Sequence, residues 1–164
     1  MKTLGLFVVV LLAWGSPNAN AQDACPGTLN HLLSVAGTYN HAQLFDDPAV
    51  SVGLDRLLGT ELDHLKANVG VSGSVDLIAC NLVISGNAEH QGGIEQGIVA
   101  VNLVSGAVAA GIYSDGLITV YVDGDNYYAV PLGIRDWLAV VNTDLRFRFE
   151  LPANARQLAP QGAE

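Results

Sequence analysis

Four apolar segments of strand length lie between residues 75 and 122, and the turn signals between them restrict how the chain can fold. The segments are residues 75–85, 97–104, 107–114 and 117–122. Ser105-Gly106 and Asp115-Gly116 separate the last three segments, and such pairs accept the positive φ that two-residue hairpin turns require. Because consecutive hairpins join neighbouring antiparallel strands, the sequence predicts a β-meander.

Helical patterns precede and follow this predicted sheet. Apolar residues at 29, 32, 33 and 36 have helical spacing, with Thr28 as a possible cap and Gly37 as a stop. Asp47 followed by Pro48 marks a second start, and leucines at 54, 57, 58, 62 and 65 then share one face. A last helix can open at Pro131, and residues 145–151 alternate like a half-buried strand. The pattern predicts a single α+β domain, an antiparallel meander with flanking helices.

The two ends of the chain differ from this predicted domain. Lys2, an apolar run from Leu4 to Trp14 and the small-x-small site Ala19-Asn20-Ala21 are typical of a secretory signal peptide, which we assign to residues 1–21. The run is shorter than the about 20 residues that cross a bilayer, so we expect cleavage rather than anchoring. Residues 22–151 are the predicted α+β domain, and residues 152–164 are a loose C-terminal tail. We expect a periplasmic or secreted bacterial protein with no membrane contact after cleavage.

The charge balance limits the classes of partner. The 164-residue chain has a formal net charge of −9, and cleavage would remove Lys2, leaving −10 from six basic and 16 acidic residues. A nucleic-acid-binding protein needs a basic face, so we exclude nucleic acid. An acidic domain is instead attracted to a basic protein.

Cys25 and Cys80 are the two cysteines of the chain. Export delivers them to an oxidising compartment, where they can form one disulfide that closes a long loop. The alternative is that Cys80, within an apolar segment, is a buried thiol. Their separation matches neither a Cys-x-x-Cys redox pair nor a zinc site.

Known catalytic signatures are absent from the sequence. There is no Gly-x-Ser-x-Gly, no His-Glu-x-x-His, no phosphate loop and no dinucleotide fingerprint. His31, His41 and His64 lie on or beside predicted helices, at spacings that match no compact ligand pattern. We therefore predict a protein that is not an enzyme and that needs no cofactor or metal.

One histidine has a different setting. His90 lies within residues 85–93 (SGNAEHQGG), between two strong strand patterns. A loop of about eight residues is longer than a tight hairpin needs. Four of its residues adopt positive φ at low cost: Gly86, Asn87, Gly92 and Gly93. Because recognition residues concentrate on loops held by rigid scaffolds, we predict a partner-binding loop; the alternative is a surface turn with a solvated histidine. The predicted binding residues are Glu89, His90, Gln91, Gly92 and Gly93.

The order of motifs around this loop resembles the inhibitor-of-vertebrate-lysozyme family over roughly residues 75–122. The matching features are the strand at 76–85 (DLIACNLVIS), His90, the strand at 98–101 (IVAV), the turn at Ser105-Gly106 and the small residues at 109–111 (AAG). The resemblance implies a secreted bacterial α+β domain whose loop enters the cleft of lysozyme. The loop pattern of that family is Cys-Lys-Pro-His-Asp-Cys, of which only His90 is present here.

The hypothesis that follows is an exported protein-binding module, similar to the lysozyme inhibitors, that presents its His-containing loop to block an enzyme cleft. Its partner would be a basic protein such as a lysozyme. An alternative is a periplasmic small-ligand or metal-binding domain that uses a sheet face with Tyr113, Tyr121, Tyr127 or Tyr128. A third possibility is an enzyme outside the known motifs, which would place His90 in a deep pocket rather than on an exposed loop.

Overall fold

The computed structural model describes residues 25–123, 129–141 and 146–149. Within these residues the α-helices are α1 (His41–Phe45), α2 (Pro48–Leu58), α3 (Leu62–Asn68) and α4 (Leu132–Val141), and two short 3₁₀ helices span Asn30–Val35 and Gly59–Glu61. The strands are β1 (Val71–Ser72), β2 (Asp76–Ile78), β3 (Asn81–Asn87), β4 (Gln96–Asn102), β5 (Val108–Ser114), β6 (Leu117–Val122) and β7 (Arg146–Phe149). The predicted signal peptide and C-terminal tail lie outside the described residues.

The strands form one sheet in the order β1-β3-β4-β5-β6-β7, with β2 also paired to β3. Strands β3 to β6 are consecutive antiparallel neighbours, which confirms the predicted meander. At the β5–β6 turn both Asp115 and Gly116 have positive φ, of 51° and 74°, as predicted for a two-residue turn. The architecture is the single α+β unit that the sequence predicts.

The pairing of β7 differs from the expected all-antiparallel sheet. This strand lies beside β6 and is parallel to it, with Leu117 opposite Arg146. The chain between β6 and β7 includes α4, and such a helical crossover brings the chain back in the same direction. The alternating pattern of residues 145–151 correctly indicates a strand but carries no signal for its direction.

Both faces of the sheet are covered, because the strand residues alternate between two apolar clusters. One cluster joins β3, β4 and β5 to the 3₁₀ helix Asn30–Val35 and to α1, α2 and α3. The other packs the opposite face against Ile134, Trp137 and Leu138 of α4. Strands β4 and β5 therefore lie between helices on both faces of the sheet.

Helix α2 starts as its sequence predicts. The Asp47 side chain accepts hydrogen bonds from the backbone N–H groups of Ala49 and Val50, and Pro48 occupies the first turn. Leu54, Leu57, Leu58 and Leu65 are buried, and Gly59, with φ of 53°, separates α2 from α3.

The first predicted helix differs in type. Residues 30–35 form a 3₁₀ helix rather than an α-helix, and no side chain caps it, so the predicted cap at Thr28 is wrong. Instead, the backbone N–H groups of Thr28 and Leu29 donate to the carbonyls of Val104 and Leu103. This segment is thus fixed to the β4–β5 connection, which replaces a capping side chain.

The predicted strand at residues 75–85 is a hairpin, β2 and β3, with Ala79 and Cys80 in its turn. Their φ values of 47° and 59° are unusual for residues that are not glycine. The Asn81 amide donates to the carbonyls of Ile78 and Ala79, which stabilises the turn. Cys80 therefore lies in a turn rather than inside a strand, and there it forms the predicted disulfide with Cys25.

Candidate functional site: the His90 loop and its base

The His90 loop, defined as residues 88–95, connects the central strands β3 and β4. Its stem is the antiparallel pair of Asn87 and Gln96. The β5–β6 turn lies at the same end of the sheet, since Gln96 is also opposite Tyr113. The loop has the predicted length and directly joins two strands in the interior of the sheet.

Two consecutive turns give the His90 loop its shape. The N–H of Gln91 donates to the carbonyl of Ala88, and the N–H of Ile94 donates to the carbonyl of Gln91, each at 3.0 Å. The third residue of each turn has positive φ, 60° at His90 and 84° at Gly93, as type II turns require. The N–H of Ala88 closes the loop on the carbonyl of Glu95 at 3.1 Å. Of the four residues expected to adopt positive φ, only Gly93 does so; His90 itself adopts the other such conformation.

The tip of the loop is solvent-exposed. The side chain of His90 is 89% exposed and that of Glu89 80%, with His90 Nε2 3.3 Å from Glu89 Oε1. Gln91, Gly92 and Gly93 are exposed as well. The side chain of His90 thus points into solvent rather than into a pocket.

A network of polar side chains lies beneath the loop and is centred on Glu95, whose side chain is only 15% exposed. The Ser114 hydroxyl donates to Glu95 Oε1 at 2.6 Å. The Asn68 amide donates to Glu95 Oε2 at 3.0 Å, and His64 Nε2 lies 3.0 Å from the same oxygen. We call these residues, together with Glu61, the Glu95 network.

His64 connects two carboxylates within this network. Its Nδ1 lies 3.2 Å from Glu61 Oε2, while its Nε2 faces Glu95. A protonated imidazole can donate to both at once. Loop, helix α3 and strand β5 are therefore joined through a few polar groups.

The absence of a side chain at Gly97 allows this approach. A Cβ atom there would lie 3.0 to 3.2 Å from side-chain atoms of Val69, Asn68 and Leu65 on or next to α3. Helix α3 can therefore pack directly over the start of β4, which places Asn68 within reach of Glu95. The Asn68 amide also donates to the backbone carbonyl of Gln96 at 3.3 Å.

The network changes the acidity of its members. The hydrogen bond to Glu95 is the main cause that raises the pKa of His64; burial opposes it, and Glu61 adds to the increase. Burial by itself raises the pKa of Glu95, but the hydrogen bonds from Ser114, His64 and Asn68 outweigh it and hold the net pKa below its ordinary value. Both shifts favour the charged forms.

A protein-family model described as inhibitor of vertebrate lysozyme (Ivy) matches residues 49–142. The chain belongs to the Ivy family. The matched segment extends beyond residues 75–122 and contains α2 from Ala49 onwards, the complete meander, the His90 loop and the Glu95 network. Comparisons with curated proteins and with solved structures gave no match.

The Ivy match makes this chain similar to lysozyme inhibitors rather than to enzymes. The disulfide joins Cys80, inside the matched segment, to Cys25, which precedes it. Among the described residues no helix is both long and apolar enough to span a bilayer.

The tyrosines proposed for a small-ligand or metal site do not lie together on one face of the sheet. Tyr121 is buried on the face covered by α1 to α3, whereas Tyr113 packs on the face covered by α4. Tyr127 and Tyr128 lie outside the described residues. In the described part of the chain, no group of three or more His, Cys, Asp and Glu side chains has an arrangement that could hold a metal ion; in the Glu95 network the two carboxylates contact opposite nitrogens of His64. A concavity of about 390 Å³, lined in part by Asn81, Asn102 and Asp123, lies at the end of β3 and β4 away from the His90 loop.

The Glu95 network is the part of the site that sequence reasoning missed. The sequence places His64 on or beside a predicted helix and gives it no site, and no motif contains Glu95, Asn68 or Ser114. The alternation of strand residues between the two faces does contain a signal. Glu95 falls on the same face as Gly97 and Val99, and Ser114 on the same face as Ala110 and Ile112. This is the face that α2 and α3 cover. Polar residues that fall on a buried face at strand ends need partners.

Proposed function

We propose that this protein inhibits a lysozyme of the vertebrate type by inserting the His90 loop into the cleft of the enzyme. The observation that carries the proposal is the exposed imidazole of His90 at the tip of an ordered loop, in a chain that belongs to the Ivy family. The proposed contact residues are the predicted ones, Glu89, His90, Gln91, Gly92 and Gly93.

The chemistry of the target supports the role of His90. Lysozyme cleaves its substrate with two carboxyl groups that flank the sugar cleft. An imidazole N–H can donate to a carboxylate there, and such charge-assisted hydrogen bonds are stronger than neutral ones. Blocking the cleft requires no chemistry in the inhibitor, so we propose a binding protein and not an enzyme.

Charge and compartment fit the same function. A net charge of −9 for the chain, with Glu89 exposed beside His90, attracts a basic partner. The disulfide between Cys25 and Cys80 is consistent with an oxidising environment. We propose that residues 1–21 direct export, that the domain spans residues 22–151, and that the protein acts in the periplasm or outside the cell.

The test measures inhibition of a vertebrate lysozyme on cell-wall substrate by purified protein. Wild type should inhibit, and His90→Asn should raise the inhibition constant about 10- to 100-fold, the range expected for a lost hydrogen bond to a charged group. Asparagine is chosen because it tolerates positive φ, so the variant removes the imidazole while the turn is kept.

The matched control is His31→Asn, which removes a histidine that also pairs with a carboxylate, Asp47 at 2.7 Å, outside the loop. It should inhibit like wild type. A wild-type protein that leaves the lysozyme fully active, or a His90→Asn variant as potent as wild type, would contradict the proposal.

A further inference from the structure

The His90 loop has only one side chain that connects it to a neighbouring helix and a neighbouring strand at the same time. Among the described loop residues, 88–95, the tip at 89–94 is exposed, whereas Glu95 receives hydrogen bonds from both α3 and β5. The backbone N–H of Glu95 also donates to the carbonyl of Gln91, at 3.1 Å. Glu95 therefore belongs both to the second turn of the loop and to the buried network below.

We infer that Glu95 is a positioning residue: anchored by Ser114, Asn68 and His64, it holds the two turns of the loop in the conformation that presents His90. The inference rests on the proposed function for its consequence in inhibition, but the ordering of the loop can be measured without lysozyme. Glu95 does not contact the partner in this scheme; it acts through the backbone of residues 91–95.

The physical reason is the entropy of the loop. A loop that is already ordered loses less conformational freedom when it binds, so more of its contact energy appears as affinity. His90 and Gly93 both adopt positive φ, and the positive φ of His90 is an unfavourable conformation for a residue with a side chain. Without an anchor, the turn that contains His90 would populate other conformations.

The charged groups that face the network are few. From the 3₁₀ helix Gly59–Glu61, Glu61 faces His64; from α3, His64 faces Glu95; β5 contributes the neutral hydroxyl of Ser114, and β4 contributes the backbone carbonyl of Gln96. Tyr113, the titratable neighbour of Ser114, packs on the opposite face of the sheet. The part of the anchor that depends on pH is therefore His64 with its two carboxylate partners, Glu61 and Glu95.

These charges predict how the anchor depends on pH. The pKa of His64 is raised, so its contribution is complete below the ordinary value of 6.5 and is lost as pH rises through the pKa of the folded protein. The pKa of Glu95 is lowered, so its contribution is complete above the ordinary value of 4.5 and is lost as pH falls through the folded pKa. The loop should be best ordered between these two ordinary values.

The experiment compares Glu95→Gln and Ser114→Ala with wild type by amide hydrogen exchange. The amides of Gln91, Ile94 and Glu95 should exchange about tenfold faster or more in both variants, the range expected for a lost charge-assisted hydrogen bond, while the amide of Val99 in β4 keeps its rate. Ser114→Thr, unlike Ser114→Ala, keeps a hydroxyl and should keep the slow exchange of wild type. Asp63→Asn, which removes an exposed carboxylate from α3, is the control for lost charge and should exchange like wild type.

Two further readouts separate positioning from general stability. In wild type the ring of His64 should titrate above its ordinary pKa, and in Glu95→Gln its pKa should fall towards that value. The ratio of the lysozyme dissociation constants of Glu95→Gln and wild type, which cancels the titration of the enzyme itself, should be about tenfold near pH 6 and should shrink as pH rises and His64 loses its proton.

The outcomes distinguish this inference from the proposed function. Unchanged loop exchange in both Glu95→Gln and Ser114→Ala contradicts the positioning role, even if wild type inhibits lysozyme. Faster loop exchange with a wild type that does not inhibit supports the positioning role and rejects the proposed function. Faster exchange at every amide, Val99 included, would mean that the whole domain is destabilised and contradicts a role confined to the loop. Ser114→Thr, which keeps a hydroxyl at this position, then shows whether the loss of the hydroxyl alone causes that destabilisation.

Discussion

The side chain of Asp47 makes contacts with two different segments of the chain. Its side chain accepts from two backbone N–H groups at the start of α2 and also lies 2.7 Å from His31 Nε2. Burial by itself raises the pKa of Asp47, but the hydrogen bonds from His31, Val50 and Ala49 outweigh it and lower the net pKa. The side chain therefore fixes both the first turn of α2 and its contact with the preceding 3₁₀ helix.

We predict that Asp47→Ala lowers the free energy of unfolding by about 1 to 2 kcal/mol, the usual cost of losing an N-cap. Because a lowered pKa contributes stability above the ordinary value of 3.8 and loses it as pH falls through the folded pKa, the difference from wild type should shrink in acid. Urea unfolding at pH 7 and pH 3 measures both effects. Asp46→Ala, at the exposed adjacent residue, is the control; an equal loss there would reject the capping explanation.

At the scale of elements, small residues on the central strands set how closely the helices pack. Gly111 on β5 faces α4, and a Cβ atom there would lie 2.8 Å from the ring of Trp137 and 2.9 Å from Ile98. The ring of Trp137 therefore packs directly against the small residues of this strand. Gly97 does the same for α3 on the other face of the sheet.

We predict that Gly111→Ala destabilises the fold by about 1 to 3 kcal/mol, the range for overpacking a core, because the Trp137 ring or β5 must move. Thermal and urea unfolding measure the change, and Trp137 fluorescence should shift as its surroundings change. Gly73→Ala is the matched control, since nothing lies within 4 Å of a Cβ atom at that position. Similar losses for both variants would show that backbone flexibility, and not the contact with Trp137, is responsible.

How much of these elements the sequence predicts depends on whether the information is local. The cap at Asp47, the Asp115-Gly116 turn and the helix that begins after Pro131 are local, and all three are found. The β4–β5 connection is not the predicted two-residue turn at Ser105-Gly106. It spans residues 103–107, because the Asn102 side chain accepts from the backbone N–H groups of Val104 and Ser105.

The features that sequence reasoning missed depend on distant partners. The turn at Ala79 and Cys80 was missed because it uses residues that rarely adopt positive φ, although the disulfide that joins it to Cys25, 55 positions earlier, was predicted from the two cysteines. The partners of Glu95 are also distant in the sequence: His64 is 31 positions away and Ser114 is 19 positions away. No local pattern of a single sequence encodes such pairs, whereas the exposed loop above them has the length and glycines that the sequence displays.

At the scale of the whole molecule, the disulfide ties the N-terminal segment to the β2–β3 turn. In the chain-entropy model a crosslink across 55 residues contributes about 4 kcal/mol.

We predict that a Cys25→Ala/Cys80→Ala variant unfolds in urea with a free energy of unfolding lower by about that amount. Reductant should destabilise wild type similarly and leave the double variant unchanged; a wild type insensitive to reductant would contradict a stabilising bond. Inhibition should persist, since Cys80 precedes β3 and the His90 loop follows its other end.

The net charge of the molecule determines how the rate of association should respond to salt. An acidic inhibitor and a basic enzyme attract each other over the Debye length, which falls from about 30 Å at 0.01 M to about 8 Å at 0.15 M ionic strength. We therefore predict that the association rate constant with lysozyme falls about tenfold or more across this range, because electrostatic steering acts mainly on encounter and changes dissociation little.

Stopped-flow or surface-based kinetics can test this with two variants that remove the same charge. Glu89→Gln removes it beside His90, where we place the contact, and Asp76→Asn removes it on β2. Glu89→Gln should slow association more than Asp76→Asn at low salt, and the difference should disappear at high salt as screening removes both effects. Equal effects of the two variants would mean that the whole field of the domain steers the partner and that the acidic loop contributes no local guidance.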